Sequence, residues 1–192
     1  MGLTIHYSGS FNKDASLQEM ISEVKDIAEI QRWNYHIFET EFPEVETNDE
    51  TLYGITFSPP ESEPVFLIFL SNRKLCGAFQ MIMTNKEVKP EEEKYRFMAF
   101  TKTQYAGEEI HKLIIHLLKY ISKKYLKEFS MIDEGEYWET GDEKLLHENF
   151  ERYNFYLNAV YDGLRNVPLN KGEDMEAYFI RLMEKIHRDK SK

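Results

Sequence analysis

The chain has almost no cysteine: Cys76 is the single one in 192 residues. One thiol cannot build a disulfide framework within the chain, so a reducing, cytoplasmic compartment is expected. Long apolar runs are also missing. The longest, Val65 to Leu70, falls far short of the roughly 20 residues that a spanning helix needs. The start, Met1-Gly2-Leu3-Thr4-Ile5-His6, has neither the basic nor the extended apolar region of a signal peptide. Basic side chains are in deficit: 24 Lys and Arg against 34 Asp and Glu give a formal charge of -10 and a pI near 5.2. Phosphate backbones and anionic membrane surfaces are bound chiefly through Lys and Arg, so neither nucleic acid nor membrane is an expected partner.

What is present is apolar and aromatic. The apolar share is 42% and the aromatic share 14%, enough to bury a core without metal or disulfide. Leu3, Ile5 and Tyr7 alternate with Thr4, His6 and Ser8, which predicts a strand with one polar face. Ser16-Leu17-Gln18-Glu19 reads as a capping box, and Leu17, Met20, Ile21, Val24 and Ile27 carry a helix to about Trp33. Strands are then expected at Tyr35–Phe38, Leu52–Ser58, Val65–Leu70, Leu75–Met83 and Tyr95–Lys102, with Glu39–Glu50 a solvated acidic loop. Val65–Leu70, apolar on both faces, is expected to lie centrally. Ser71-Asn72-Arg73-Lys74 is expected to turn a hairpin.

A helix is predicted from about Ala106, with Ile110, Leu113, Ile114, Leu117 and Ile121 on its buried stripe. Phe129–Tyr137 reads as the last strand, and Thr140-Gly141-Asp142-Glu143 as a second capping box. Beyond it, Leu146, Phe150, Tyr153, Leu157, Val160 and Leu164 form a seam, answered after Pro168 and Gly172 by Met175, Phe179, Leu182 and Ile186. Grouped strands predict an α+β fold: a mainly antiparallel or mixed sheet of about six or seven strands, packed helices and a C-terminal helical hairpin. One domain is expected, 1–167, with the helix of 168–192 packed on it.

Three polar stretches are candidates for chemistry. The first is His6, flanked by Thr4 and Ser8; an imidazole there can bind a ligand or move a proton, although a half-buried strand histidine is the commoner case. The second is Lys102-Thr103-Gln104-Tyr105 at a strand-to-helix junction, where free amides and Lys102 suit an anion; the plain alternative has Thr103 as a cap. The third is Asp133-Glu134-Gly135-Glu136-Tyr137-Trp138-Glu139. Its carboxylates suit a divalent cation, with Asp133 and Glu139 the weak metal candidates, but an EF-hand loop opening at Asp133 needs Gly where Trp138 stands. A strand end feeding a capped helix explains this stretch more simply. His111 and His116, five apart on a helix, point in different directions and make no ligand pair. Glu108-x-x-His111 and Glu184-x-x-His187 match di-iron spacing without the helical bundle that chemistry needs. Cys76, in mid-strand, reads as an inert thiol.

His6-Tyr7-Ser8, Lys102-Thr103-Gln104-Tyr105-Ala106 and Asp133-Glu134-Gly135-Glu136-Tyr137-Trp138-Glu139-Thr140, in this order, resemble stretches in a group of uncharacterised bacterial proteins. The likeness spans residues 1 to 165. No reaction, cofactor or ligand is assigned to that group, so nothing functional carries over, and the resemblance only directs attention to the three stretches together.

Two functional expectations follow. The first is a non-catalytic binding or interaction protein with an acidic surface, without cofactor, meeting a protein partner or a second copy through the C-terminal helices. Its ligand-binding candidates are His6, Lys102, Gln104, Tyr105, Glu134, Tyr137, Trp138 and Glu139. The alternative is a metal-assisted hydrolase with a pocket formed by residues 4–8, 100–105 and 133–139. No complete catalytic motif is present, so whether the chain is an enzyme stays open at this point.

Overall fold

The computed structural model describes residues 2–47, 51–77 and 97–190. It is an α+β structure whose described strands are β1 (Thr4–Phe11), β2 (Asn34–Ile37), β3 (Tyr53–Ser58), β4 (Val65–Phe69), β5 (Leu75–Cys76), β6 (Ala99–Lys102) and β7 (Leu126–Asp133). The described helices are α1 (Leu17–Gln31), α2 (Gly107–Tyr125), α3 (Tyr137–Thr140), α4 (Glu143–Asn166) and α5 (Met175–Lys190). The expected strand residues from 78 to 83 and 95 to 96 lie outside the described residues. No described helix is long and apolar enough to cross a membrane.

The seven strands divide into two antiparallel sheets, ordered β6-β1-β7 and β2-β3-β4-β5, instead of one sheet of six or seven. Side chains account for the seam. The Tyr7 hydroxyl accepts from Phe66 N at 2.8 Å and lies 3.0 Å from Phe66 O, to which it donates. Thr101 Oγ1 donates to Pro64 O at 3.0 Å beside it. Backbone groups of Phe66 in β4 and of Pro64 just before it are therefore satisfied by side chains of β1 and β6, without a ladder.

β1 alternates as its sequence predicts: Leu3, Ile5 and Tyr7 are buried, and Thr4, His6 and Ser8 only half so. All five residues of β4 are buried, and β4 lies inside its sheet. The hairpin at 71–74 closes through left-handed Arg73. Ser16 caps α1 by accepting from Glu19 N at 3.2 Å, and Leu17, Met20, Ile21, Val24 and Ala28 enter the main core. α2 buries His111, Ile114, Ile115, Leu118 and Ile121. Of the expected stripe, Ile114, Leu117 and Ile121 are buried and Ile110 packs against the core, while Leu113 stays 41% exposed.

Two further expectations are corrected. The last strand, expected at Phe129–Tyr137, runs instead from Leu126 to Asp133, and Tyr137 opens a single helical turn, Tyr137–Thr140. The Asp133 carboxylate gathers the amides of Gly135, Tyr137 and Trp138 at 2.8–3.0 Å, and Glu136 is left-handed. That local network turns the chain. The cap of α4 is Asp142, which accepts from Lys144 N and Leu145 N; Thr140 is not the cap.

The first part of α4 adds Leu146 and Phe150 to the main core, while its later residues Ala159 and Val160 meet α5 in a separate cluster of Val167, Tyr178, Leu182 and Ile186. The buried stripe of α5 is thus Tyr178, Leu182 and Ile186. Met175 and Phe179, expected in the seam, are 57% and 44% exposed, and Leu164 of α4 is 48% exposed.

Candidate functional site

The antiparallel registers collect part of the three polar stretches on one surface. His6 stands opposite Phe100 of β6 and Ile132 of β7, Thr4 opposite Lys102, and Ser8 opposite Ser130. Directly opposed residues share a face, so these side chains form the outer face of β6-β1-β7. Its apolar members are open to solvent: Phe100 is 40% exposed and Ile132 63%.

Glu134 follows the end of β7 and folds back onto β1. Its amide donates to Thr4 O at 3.1 Å, its Oε2 accepts from Thr4 N at 2.9 Å, and its Oε1 lies 3.6 Å from His6 Nε2. A 400 Å³ hollow beside it is lined by Thr4, His6, Glu63, Met98, Phe100 and Lys102. Glu63 is held there because its Oε2 accepts from Lys102 N at 3.0 Å. His6 therefore meets Glu134 at 3.6 Å and shares the hollow with Lys102.

The other candidates lie elsewhere. Gln104 is buried beneath the sheet edge, where its Oε1 accepts from Leu3 N and its Nε2 donates to Asn154 Oδ1, both at 2.9 Å. This amide ties Leu3, just before β1, to α4. Tyr105 projects into solvent before α2. Tyr137, Trp138 and Glu139 lie on α3 beyond β7. The Tyr137 hydroxyl is 3.3 Å from His116 Nε2, and Glu139 Oε1 accepts from Asp133 N at 3.2 Å. Trp138 meets Phe129 edge-on, with Lys119 Nζ 5.8 Å from its ring centre.

Sequence reasoning missed a buried polar chain. Thr103 Oγ1 lies 2.7 Å from His111 Nδ1, and His111 Nε2 lies 3.0 Å from Asp133 Oδ1. The last contact has ion-pair distance without in-line hydrogen-bond alignment. Hydroxyl, imidazole and carboxylate follow one another in the order used to activate a nucleophile. Here, however, Thr103 and His111 are fully buried and Asp133 is 3% exposed, so no substrate reaches the hydroxyl. Burial works to raise the Asp133 carboxyl. The adjacent His111 imidazole, with the Trp138 and Gly135 amides, outweighs it and holds the carboxyl below its ordinary value. The sequence signal was available in part: an aspartate two residues before a glycine is an Asx-turn pattern.

No known protein family, curated protein or solved structure matches the chain. The chemistry of the site thus rests on its own atoms. Among the described residues, no three His, Cys, Asp or Glu side chains group to hold a metal ion. Both Asp133 oxygens already take amides, and Glu139 Oε1 is engaged as well.

Charge is distributed unevenly. Residues 143–192 hold nine acidic and nine basic side chains, so the whole formal charge of -10 belongs to residues 1–142. Within that acidic part, Lys119, Lys123, Lys124 and Lys127 gather near the end of α2. Two of these four are neutralised: Lys124 Nζ by Glu23 at 2.6 Å and Lys127 Nζ by Asp14 at 3.8 Å.

Proposed function

We propose that the chain is a non-catalytic binding protein whose contact face is the outer surface of β6-β1-β7. The observation that carries this reading is the placement of exposed Phe100 and Ile132 on either side of His6, in register, with Glu134 and Lys102 at the margin. Protein interfaces combine apolar anchors with a polar rim in this way. The favoured partner is a protein segment that offers an apolar side chain to Phe100 and Ile132 and a basic one to Glu134 or Glu63. The negative charge of residues 1–142 favours encounter with such a segment.

The non-catalytic reading is supported by the sealed Thr103–His111–Asp133 chain, whose groups serve the turn and not a substrate. A metal-assisted hydrolase built on 4–8, 100–105 and 133–139 needs free carboxylate oxygens, which Asp133 does not offer. The C-terminal helices, as a hairpin, stand as a second contact surface.

A photo-crosslinking residue at position 132 tests the proposal in living cells, with the still more exposed Ile30 of α1 as the control position. A discrete adduct is expected from position 132 and not from 30, and Glu134→Arg should abolish it. No adduct at 132, or the same adducts from both positions, overturns the reading.

A further inference from the structure

α5 has two apolar stripes, and the fold covers one. Tyr178, Leu182 and Ile186 face α4 and are buried, whereas Phe179 and Ile180 are 44% and 56% exposed. They border a 690 Å³ recess whose other walls are Met183, Glu184 and Arg188. A helix that buries only part of its apolar surface within its own chain is suited to bury the rest against another.

We infer that a second copy of this chain occupies that stripe. Charge selects the occupant. Residues 1–142 together carry the whole net charge of -10, whereas 143–192 is balanced at nine acids and nine bases. This segment gives a basic partner no electrostatic pull and spares a second copy the repulsion that the acidic body would impose. The rim carries one acid and one base, Glu184 and Arg188. An isologous interface sets the same patch against itself, so a rim of both signs can complement its own copy, whereas a rim of one sign repels it. Met175, exposed one turn before Phe179 on α5, supplies further apolar area, which matters because a stable pair needs about 800 Å² from each partner.

Sedimentation equilibrium of the full chain tests this. Twice the 22.9 kDa chain mass is expected. Ile180→Glu is expected to raise the dissociation constant by at least about tenfold, with the circular dichroism of the folded chain unchanged because the side chain is exposed. Ile180→Cys, with Cys76 buried, is expected to form a covalent dimer on mild oxidation, and Ile30→Cys is not. A wild-type mass of 22.9 kDa at hundreds of micromolar, a dimer unaffected by Ile180→Glu, or equal crosslinking from positions 30 and 180 overturns the inference. A monomer that crosslinks to a different protein from position 180 also overturns it, and leaves the reading of the sheet face untouched.

Discussion

The His111 ring and the Asp133 carboxylate lie 3.0 Å apart with neither open to solvent, joining the second turn of α2 to the end of β7. The carboxylate also gathers three amides of the following turn. Removing it leaves those amides and the imidazole unanswered in the interior. Asp133→Ala is therefore expected to lower stability by about 3–5 kcal/mol, the range for breaking one partner of a buried pair. Asp133→Asn, which keeps an acceptor oxygen, should cost less. Urea denaturation measures both, and a loss under about 1 kcal/mol for Asp133→Ala contradicts this account of the turn.

The same group sets an acid limb. Its folded carboxyl titrates below the ordinary value of 3.8, so its contribution is fully present above that pH and is lost as pH falls through the folded value. Glu173, held down to about 2 by Arg181 and the Asn170 amide, has the same sign. The readout must therefore be a difference between variants. Wild type is expected to lose stability below about pH 4 more steeply than Asp133→Asn. Parallel urea midpoints for the two proteins between pH 5 and pH 2.5 would contradict it.

Tyr7 is the third case. Its hydroxyl serves both the amide and the carbonyl of Phe66 across the sheet seam. Burial pushes the phenol up, against smaller opposing effects from Thr101 and Phe66. Tyr7→Phe keeps the ring and strands two backbone groups, which costs about 1–3 kcal/mol for each one left unsatisfied. An unchanged denaturation midpoint would show that the seam does not depend on this hydroxyl.

These residues also mark where sequence reading succeeds and stops. The strand period of Leu3, Ile5 and Tyr7 and the Ser16 cap are local signals, and both appear in the structure. The two sheets meet where the Tyr7 hydroxyl bonds Phe66, 59 residues away along the chain, a pairing that no periodicity encodes. His111 read as one of two mismatched helix histidines, because its partners Thr103 and Asp133 come from different elements. The convergence of His6, Lys102 and Glu134 needed the strand registers. Their positions on alternating strands were legible, but which strands are neighbours was not.

The C-terminal helix supplies the last case. Its buried stripe belongs to a cluster separate from the main core, so its docking should fail without the rest of the fold failing. Leu182 is fully buried there and lies against Gly163 of α4, where a larger residue would collide with it. Leu182→Ala removes the central contact, at a cost of about 2–5 kcal/mol. Because few elements share that cluster, the loss should appear locally. Amide exchange in 175–190 is expected to accelerate by at least about tenfold, while β1 and β4 amides exchange at their wild-type rates. If the β1 and β4 amides accelerate by the same factor as those of α5, the two clusters unfold as one cooperative unit and the separation drawn from the packing is wrong.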